Sequence, residues 1–474
     1  MFLSRLRLFF RHRRIGPAIG LLAAMTFCSG APPESVDLLI TGGLVVTMDP
    51  QGHIYENGAV AIGGDRILAV GPAADLKSRF RPRTSLRADG QVILPGLVNT
   101  HNHVPMTLLR GISDDLPLMD WLTRYIFPAE AAFVDAEFVR WGTRLACAEM
   151  IRSGTTTFAD MYYFEDVVAE AARSAGMRAI AGQTILDFPA PDHKTTAAAL
   201  AWTEGFLQRW GKDPLIRPAV APHAPFTVSP ENLKACSALS AKYQAPLEIH
   251  VSETRAEQAQ ILEKYKTTPT RHLHALGVLS ERVIAAHCVW ADEEDTRLLH
   301  QYGVGIAHNP ESNMKLASGV APIARMLRMG MAVGVGTDGP ASNNDLNLWE
   351  AMDLTGKLQK LHSNDTTVLP AEQVVRMATI LGARALHMDA MIGSLEAGKK
   401  ADLICLEMRR PHLMPLYNIY SHLVNAYKGS DVSRTIIAGR VLFEKGRLLT
   451  LDEPQVLAKA YEYQQKIAAR FTRR

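Results

Sequence analysis

The chain has 474 residues, 47% of them hydrophobic and 21% charged, enough to bury a large core and to hold more than one domain. Lys and Arg total 51 against 48 Asp and Glu, a net charge of +3, and a balance this close to neutral argues against nucleic acid or a polyanion as partner. The five cysteines, Cys28, Cys147, Cys236, Cys288 and Cys405, are scattered with no CxxC pair, which argues against a disulfide framework and a thiolate zinc site.

At the N-terminus, Arg5, Arg7, Arg11, Arg13 and Arg14 precede an uncharged, mostly apolar run over 15–27. A basic region followed by an apolar stretch too short to span a bilayer comfortably is the pattern of an export leader. Ser29-Gly30-Ala31 has small residues at cleavage spacing, Cys28 suggests a lipoprotein, and Arg13-Arg14 suggests the twin-arginine route, yet none of the three matches cleanly. A leader over 1–31 that exports the protein is the expectation; the alternative is an overextended start in front of a cytoplasmic enzyme.

After Pro32-Pro33, "DLLITGGLVVTM", "GAVAIGGDRILAVG" and "GQVILPG" alternate apolar runs with glycine-rich turns, and the same texture returns in "GKKADLICLEM" and "RTIIAGRVLFEKGRLL". Matching β character at both ends predicts one small composite β-sandwich, with its N-terminal part at 32–95 and its C-terminal part at 393–450. A C-terminal helix is expected over 451–474.

The middle alternates strand and helix signals. Strands are predicted at 97–101, 155–161, 178–185, 216–224, 246–253, 283–289, 304–310 and 332–339, with helical stretches such as "FVRWGTRLACAEMIRSG" and "LNLWEAMDLTGKLQKL" between them. Eight such units over 96–392 predict a (β/α)₈ barrel, and so an α/β fold. Most of these strands carry an apolar body and a polar tip: His101 and His103, His223, His250, Glu253, His287, His308, Asp338. One histidine on an apolar face is most often a satisfied core residue. Successive strands repeating the pattern at the end where such barrels build their sites point instead to a metal. His101 and His103, two residues apart, share one face of a strand and can converge on it.

The stretches "LPGLVNTHNHVPMTLLRG", "APHAPFTVS", "EIHVSETRAE", "IAAHCVW", "AHNPESNMKLASGVAP" and "GVGTDGPASNN" resemble the amidohydrolase superfamily. More narrowly they resemble its 5-methylthioadenosine/S-adenosylhomocysteine deaminase branch, near the triazine hydrolases. The resemblance runs from about residue 37 to 450 and implies that His101, His103, His250 and Asp338 bind one divalent metal. Imidazoles and a carboxylate suit Zn²⁺ or Fe²⁺. Binuclear branches use a lysine near the fourth strand, where this chain reads "PAVAPHAP", so a single ion is expected. The resemblance further implies that Glu253 shuttles a proton, that Asp338 holds the nucleophilic water and that His287 hydrogen-bonds the developing oxygen. Glu130 corresponds to a carboxylate that grips ribose hydroxyls, and His223 to a purine contact. Gln183 stands where some members carry an arginine for the homocysteine carboxylate, with Lys194 the nearest cation, which favours methylthioadenosine over S-adenosylhomocysteine.

The expected activity is therefore hydrolytic deamination of an adenine nucleoside. The alternatives are a guanine, pterin or triazine aminohydrolase of the same fold, or a non-catalytic relative that binds without reacting. A nucleic-acid deaminase would need H-x-E with a later P-C-x-x-C, which is absent from the sequence. The expected partners are a small-molecule nucleoside and further copies of this chain, with no nucleic acid and with membrane contact only through the leader. The leader is checked by fractionating cells and sequencing the mature N-terminus: loss of the first residues in an exported fraction is expected, whereas intact Met1 in the cytoplasm would identify an overextended start.

Overall fold

A computed structural model describes residues 33–471; the leader expected over 1–31 lies outside the described residues. Eight strands form the barrel: Leu97–Asn102, Thr155–Tyr162, Arg178–Ile185, Ile216–Pro222, Leu247–Val251, Val283–His287, Gly305–His308 and Val333–Val335. Each lies parallel to the next in sequence order. Parallel neighbours need crossovers, and helices supply them. Helix Ala136–Ser153 illustrates the local logic: Asp135 caps it by accepting the Glu137 and Phe138 N–H groups, and Gly154, at φ 87°, ends it. That glycine delivers the chain directly into the second strand.

Small apolar side chains, among them Val98, Ala159, Ile180, Ala219, Ala286 and Ala307, cluster with Leu386, Met388 and Ile392 in one buried core. A barrel of eight strands has room for side chains and no more, so alanine at so many of these positions keeps the ring narrow.

Beside the barrel, nine strands form one continuous sheet. Five come from before the barrel and four from after it, joined where Gln91–Pro95 pairs antiparallel with Leu403–Glu407. The two ends of the chain share a core that includes Ile40, Val60, Ile93, Leu403 and Ile436. Arg178, in the third barrel strand, donates from Nε to Asp402 Oδ2 at 2.6 Å and from Nη1 to the Pro214 carbonyl at 2.9 Å. This buried, doubly satisfied ion pair ties the small sheet to the barrel.

The first and eighth strands meet through single contacts. The Asp338 N–H donates to the His101 carbonyl at 3.0 Å; the Thr337 N–H donates to Asn99 Oδ1 at 3.1 Å, and Asn99 Nδ2 donates to Thr337 Oγ1 at 2.8 Å. Close approach demands glycine here. A Cβ on Gly334 would lie 2.2 Å from Thr100 Cγ2, and one on Gly336 would lie 2.3 Å from Asn309 Oδ1 and 3.0 Å from the His101 nitrogen. Gly336→Ala is accordingly expected to lower stability by about 1–3 kcal/mol, the usual cost of overpacking, and to weaken cation binding by moving Asp338 away from His101. Thermal melting with metal analysis checks this; wild-type values for both would mean that the seam tolerates the methyl group.

Candidate active site

The polar tips meet at the C-terminal ends of the strands. Donor atoms of His101, His250, His287 and Asp338 all lie within 4.8 Å of one another, and His103 Nε2 stands 3.2 Å from Asp338 Oδ1. The convergent set therefore has five members, the four expected ligands together with His287. All are buried or nearly so.

The outer sides of the rings determine what the inner sides offer. His103 Nδ1 lies 2.5 Å from the Met161 carbonyl, and His250 Nδ1 lies 2.7 Å from the His223 carbonyl. A carbonyl only accepts, so both Nδ1 atoms carry a proton, and whenever the ring is neutral it turns a bare Nε2 inward. His250 Nε2 faces His101 Nε2 at 3.1 Å. Lone pairs aimed at each other and at a carboxylate suit a cation between them, and a ligating histidine anchored by its other nitrogen is the usual support of such a site. The donor set fits a divalent ion of the zinc type.

The electrostatics agree. Burial, reinforced by the neighbouring imidazoles, holds His101 and His250 well below the usual histidine range. Burial works against charge on His103 too, but the Asp338 carboxylate outweighs it and raises that ring to about 9, so His103 must give up its Nε2 proton to a cation that binds between the two. Asp338, whose charge burial opposes, is nonetheless held well below the carboxylate range by His103 and the other rings. Ser312 and Ser342 hydroxyls donate to its Oδ2 at 2.6 and 2.9 Å, leaving Oδ1 to face His103. These serines were not singled out from the sequence.

The backbone is bent to reach this arrangement. Ser252, His287, Cys288 and Asp338 have φ of 54°, 70°, 48° and 62°. Left-handed conformations are unfavourable for residues with a Cβ and collect at functional sites.

Glu253 follows the fifth strand, with Oε2 4.0 Å from His287 Nε2. Burial raises its carboxyl above the usual range, offset in part by His287. Its turn is held by Glu257, which accepts the Ser252 N–H at 2.9 Å and the Glu253 N–H at 2.7 Å. Glu257 was also missed. Its signal was present in Thr254-x-x-Glu257, a capping-box spacing, and the Glu257 N–H does bond Thr254 Oγ1 at 3.2 Å.

His103, His250, Glu253, His287, Asp338 and Ser342 line a cleft that is open at its mouth. His223 and Glu130 line it as well. Burial brings His223 down to about 4, so its ring is neutral near pH 7. Burial raises Glu130 to about 7, while the Tyr162 hydroxyl, donating to Oε1 at 2.8 Å, works the other way. The remaining wall is apolar, with Leu118, Trp121, Leu122, Ile126, Phe127 and Phe226 prominent. The first five lie on the segment after the first strand, which the sequence reading did not assign to the site.

Three expectations from the sequence change. Gln183 does not face the cleft: it is buried, and its amide donates to the Thr184 carbonyl at 3.1 Å and to Asp192 Oδ2 at 2.8 Å. Thr184 lines the cleft, and neighbours along a strand point to opposite sides. Lys194 is turned onto the Ala190 carbonyl at 2.7 Å and lines a different surface pocket with Trp202 and Phe164. His308 is fully buried and outside the convergent set. Among the lining residues of the cleft there is no lysine or arginine.

The amidohydrolase family pattern matches residues 92–442, and the chain belongs to this family. A short match to an imidazolonepropionase-like composite domain covers residues 58–81 of the small sheet. Among curated relatives, the 5-methylthioadenosine/S-adenosylhomocysteine deaminase of Syntrophobacter fumaroxidans is 52% identical over 423 residues, 89% of this chain and 96% of that one. A deaminase of the same name from Syntrophus aciditrophicus is 50% identical over 434 residues, 92% and 98% of the two chains. A crystal structure of an adenosine deaminase from Xanthomonas campestris with bound zinc superposes with a TM-score of 0.91 at 40% identity, over 92% of this chain and all of that one. A zinc complex of an atrazine chlorohydrolase from Arthrobacter aurescens gives 0.84 at 25% identity, over 90% and 100%.

Metal analysis of the purified protein is expected to find about one equivalent of divalent cation per chain. His250→Ala removes a central donor and should lose most of it. Two equivalents in the wild type, or full retention in the variant, would break the assignment.

Proposed function

We propose that the chain is a metal-dependent hydrolase that deaminates adenine nucleosides, preferring adenosine or 5′-methylthioadenosine to S-adenosylhomocysteine. One observation carries the reading: His103, His250, His287 and Asp338 of the convergent donors, the buried carboxyl of Glu253 and the buried carboxylate of Glu130 line a single cleft. The first two can supply an activated water and a proton, and the third can hold a sugar.

His101, His103, His250 and Asp338 would hold the cation, which when bound lowers the pKa of a coordinated water toward neutrality. Glu253 takes a proton from the attacking water and passes it to the adjacent ring nitrogen, which leaves the amino-bearing carbon open to attack. Its raised pKa suits a group that must both accept and return a proton. Asp338, anionic and fixed by two serines, orients that water through hydrogen bonding. His287, with a proton on Nε2, donates to the oxygen that gains charge. The second water proton, on the hydroxyl of the tetrahedral adduct, then passes to the amino group, the C–N bond breaks and ammonia leaves, while the ring nitrogen keeps the proton that Glu253 delivered. Glu130 accepts from the ribose hydroxyls, and the neutral His223 ring meets the purine.

The preference rests on desolvation. The amino-acid tail of S-adenosylhomocysteine would bring a carboxylate against an apolar wall with no arginine or lysine to receive it, whereas a methylthio group suits that wall. Charge-assisted bonds of this kind are worth roughly 1.5–3 kcal/mol, or about ten- to a hundredfold in kcat/KM.

Ammonia release from adenosine, 5′-methylthioadenosine, S-adenosylhomocysteine, guanine and melamine tests the reading. Turnover of the first two, ahead of S-adenosylhomocysteine by about that factor, is expected. Release from guanine or melamine alone would move the enzyme to another branch, and release from none would leave a binding protein. Glu253→Gln should keep its metal and lose about two to four decades in kcat; activity within tenfold of wild type would mean another group carries the proton.

A further inference from the structure

Glu130 does not stand alone in the cleft. It lies in the short helix Phe127–Phe133, on a segment of the chain separate from the strands that carry the metal-binding donors. Its Oε1 accepts from the Tyr162 hydroxyl at 2.8 Å, and the Tyr163 hydroxyl reaches the same carboxylate. Tyr162 is the last residue of the second barrel strand, is buried, and lines the cleft. The residue before it is Met161, whose carbonyl receives the His103 Nδ1–H at 2.5 Å.

Two adjacent residues of one strand end therefore hold the two functional halves of the cleft. Met161 fixes an imidazole at the metal side through its backbone, and Tyr162 fixes the carboxylate at the other through its hydroxyl. A strand end inside a barrel ladder is rigid, whereas Glu130 sits near the end of a helical run over 118–133 on the insert between the first two strands. The Tyr162–Glu130 bond is then what transfers the rigidity of the barrel to the carboxylate.

We propose that Tyr162 is a positioning residue that sets the selectivity of the enzyme for substrates with a vicinal cis-diol, by holding Glu130 at a fixed distance and angle from the metal-binding histidines. The proposal rests on the reading of Glu130 as the group that accepts from the ribose hydroxyls. A carboxylate receives two hydroxyls well only in one orientation, and the tyrosine selects that orientation before substrate arrives. The Tyr163 ring lies beside it, tilted by 48° with ring centroids 4.8 Å apart, and limits how far the first ring can turn.

The test compares adenosine with 2′,3′-dideoxyadenosine in the wild type, Tyr162→Phe and Glu130→Gln, with metal content measured in each. Tyr162→Phe keeps the ring and removes only the hydroxyl. It is expected to raise KM for adenosine about tenfold, the loss of one charge-assisted hydrogen bond, with kcat within about threefold. For 2′,3′-dideoxyadenosine, kcat/KM should stay within about twofold, because a substrate without the diol makes no use of Glu130. A merely structural tyrosine would penalise both substrates alike, and that result overturns the proposal. So does an unchanged adenosine KM. Glu130→Gln separates the two levels: if it distinguishes the substrates and Tyr162→Phe does not, only the role of Tyr162 fails. If Glu130→Gln does not distinguish them either, the reading of Glu130 fails with it.

Discussion

Everything in the site depends on one close contact, the approach of the eighth barrel strand to the first. His101 and Asp338 can share a cation only if their backbones nearly touch, and the 3.0 Å bond from the Asp338 N–H to the His101 carbonyl is that touch. The ladder between the first and second strands shifts register between Asn99 and Asn102, leaving the His101 carbonyl free to turn toward the eighth strand. Glycines at 334 and 336 remove the side chains that would otherwise hold the strands apart. Closing the barrel and assembling the metal site are therefore one event. The cost is a cluster of imidazoles and a carboxylate taken out of water, which a cation offsets and which would otherwise favour an open seam.

Much of this was legible in the sequence, for a definable reason. Apolar strand bodies with polar tips are short-range patterns, so strands such as Arg178–Ile185 are found where they were expected. The overshoots are systematic. Expected spans of 246–253, 283–289 and 332–339 shorten to Leu247–Val251, Val283–His287 and Val333–Val335. In the first two the chain leaves the ladder at or just past a functional residue, through Ser252 or His287 in the left-handed region, and in the third it leaves before one, Asp338, which is itself left-handed. Alternating apolar pattern predicts where a strand could continue; it does not predict that the chain bends away to aim a ligand. Gln183 failed for a related reason. A resemblance places a residue along the chain, but strand parity decides which face it occupies, and Thr184 next to it already holds the inward face.

The recognition half of the cleft was much less visible. Leu118, Trp121, Leu122, Ile126 and Phe127 lie on one helical run over 118–133 whose middle, Leu122–Ile126, is π-helical, an irregular geometry that sequence pattern does not predict. Their positions come from distant partners: Trp121 Nε1 donates to the Ser113 carbonyl at 3.1 Å, Tyr162 holds Glu130, and the Phe133 ring meets Phe471 at 6.0 Å. That last partner lies at the end of the C-terminal helix Glu453–Phe471, whose Tyr463 packs edge-on against Phe138 at 5.4 Å. Contacts across more than three hundred residues leave no periodic trace to read.

The two halves thus differ in how the chain builds them, and that difference bears on how such a fold changes substrate. The convergent donors and Glu253 sit at strand ends whose geometry is fixed by ladder bonds, glycine contacts and left-handed turns; a substitution there disturbs the seam itself. The wall that meets the variable part of a substrate is carried by an insert between strands, held by a few side-chain contacts. A change from Leu118 to Phe127 can reshape the cleft without touching His101, His250 or Asp338. A protein 25% identical to this one, described as an atrazine chlorohydrolase, superposes over 90% of the chain, as expected if the strands conserve the means of activating water while inserts decide what is presented to it. Within this chain the point where the two meet is the end of the second strand. Met161 acts on the metal side through its backbone carbonyl and Tyr162 on the other side through its hydroxyl, so a side-chain change at Tyr162 can alter fit while the backbone support of His103 stays in place.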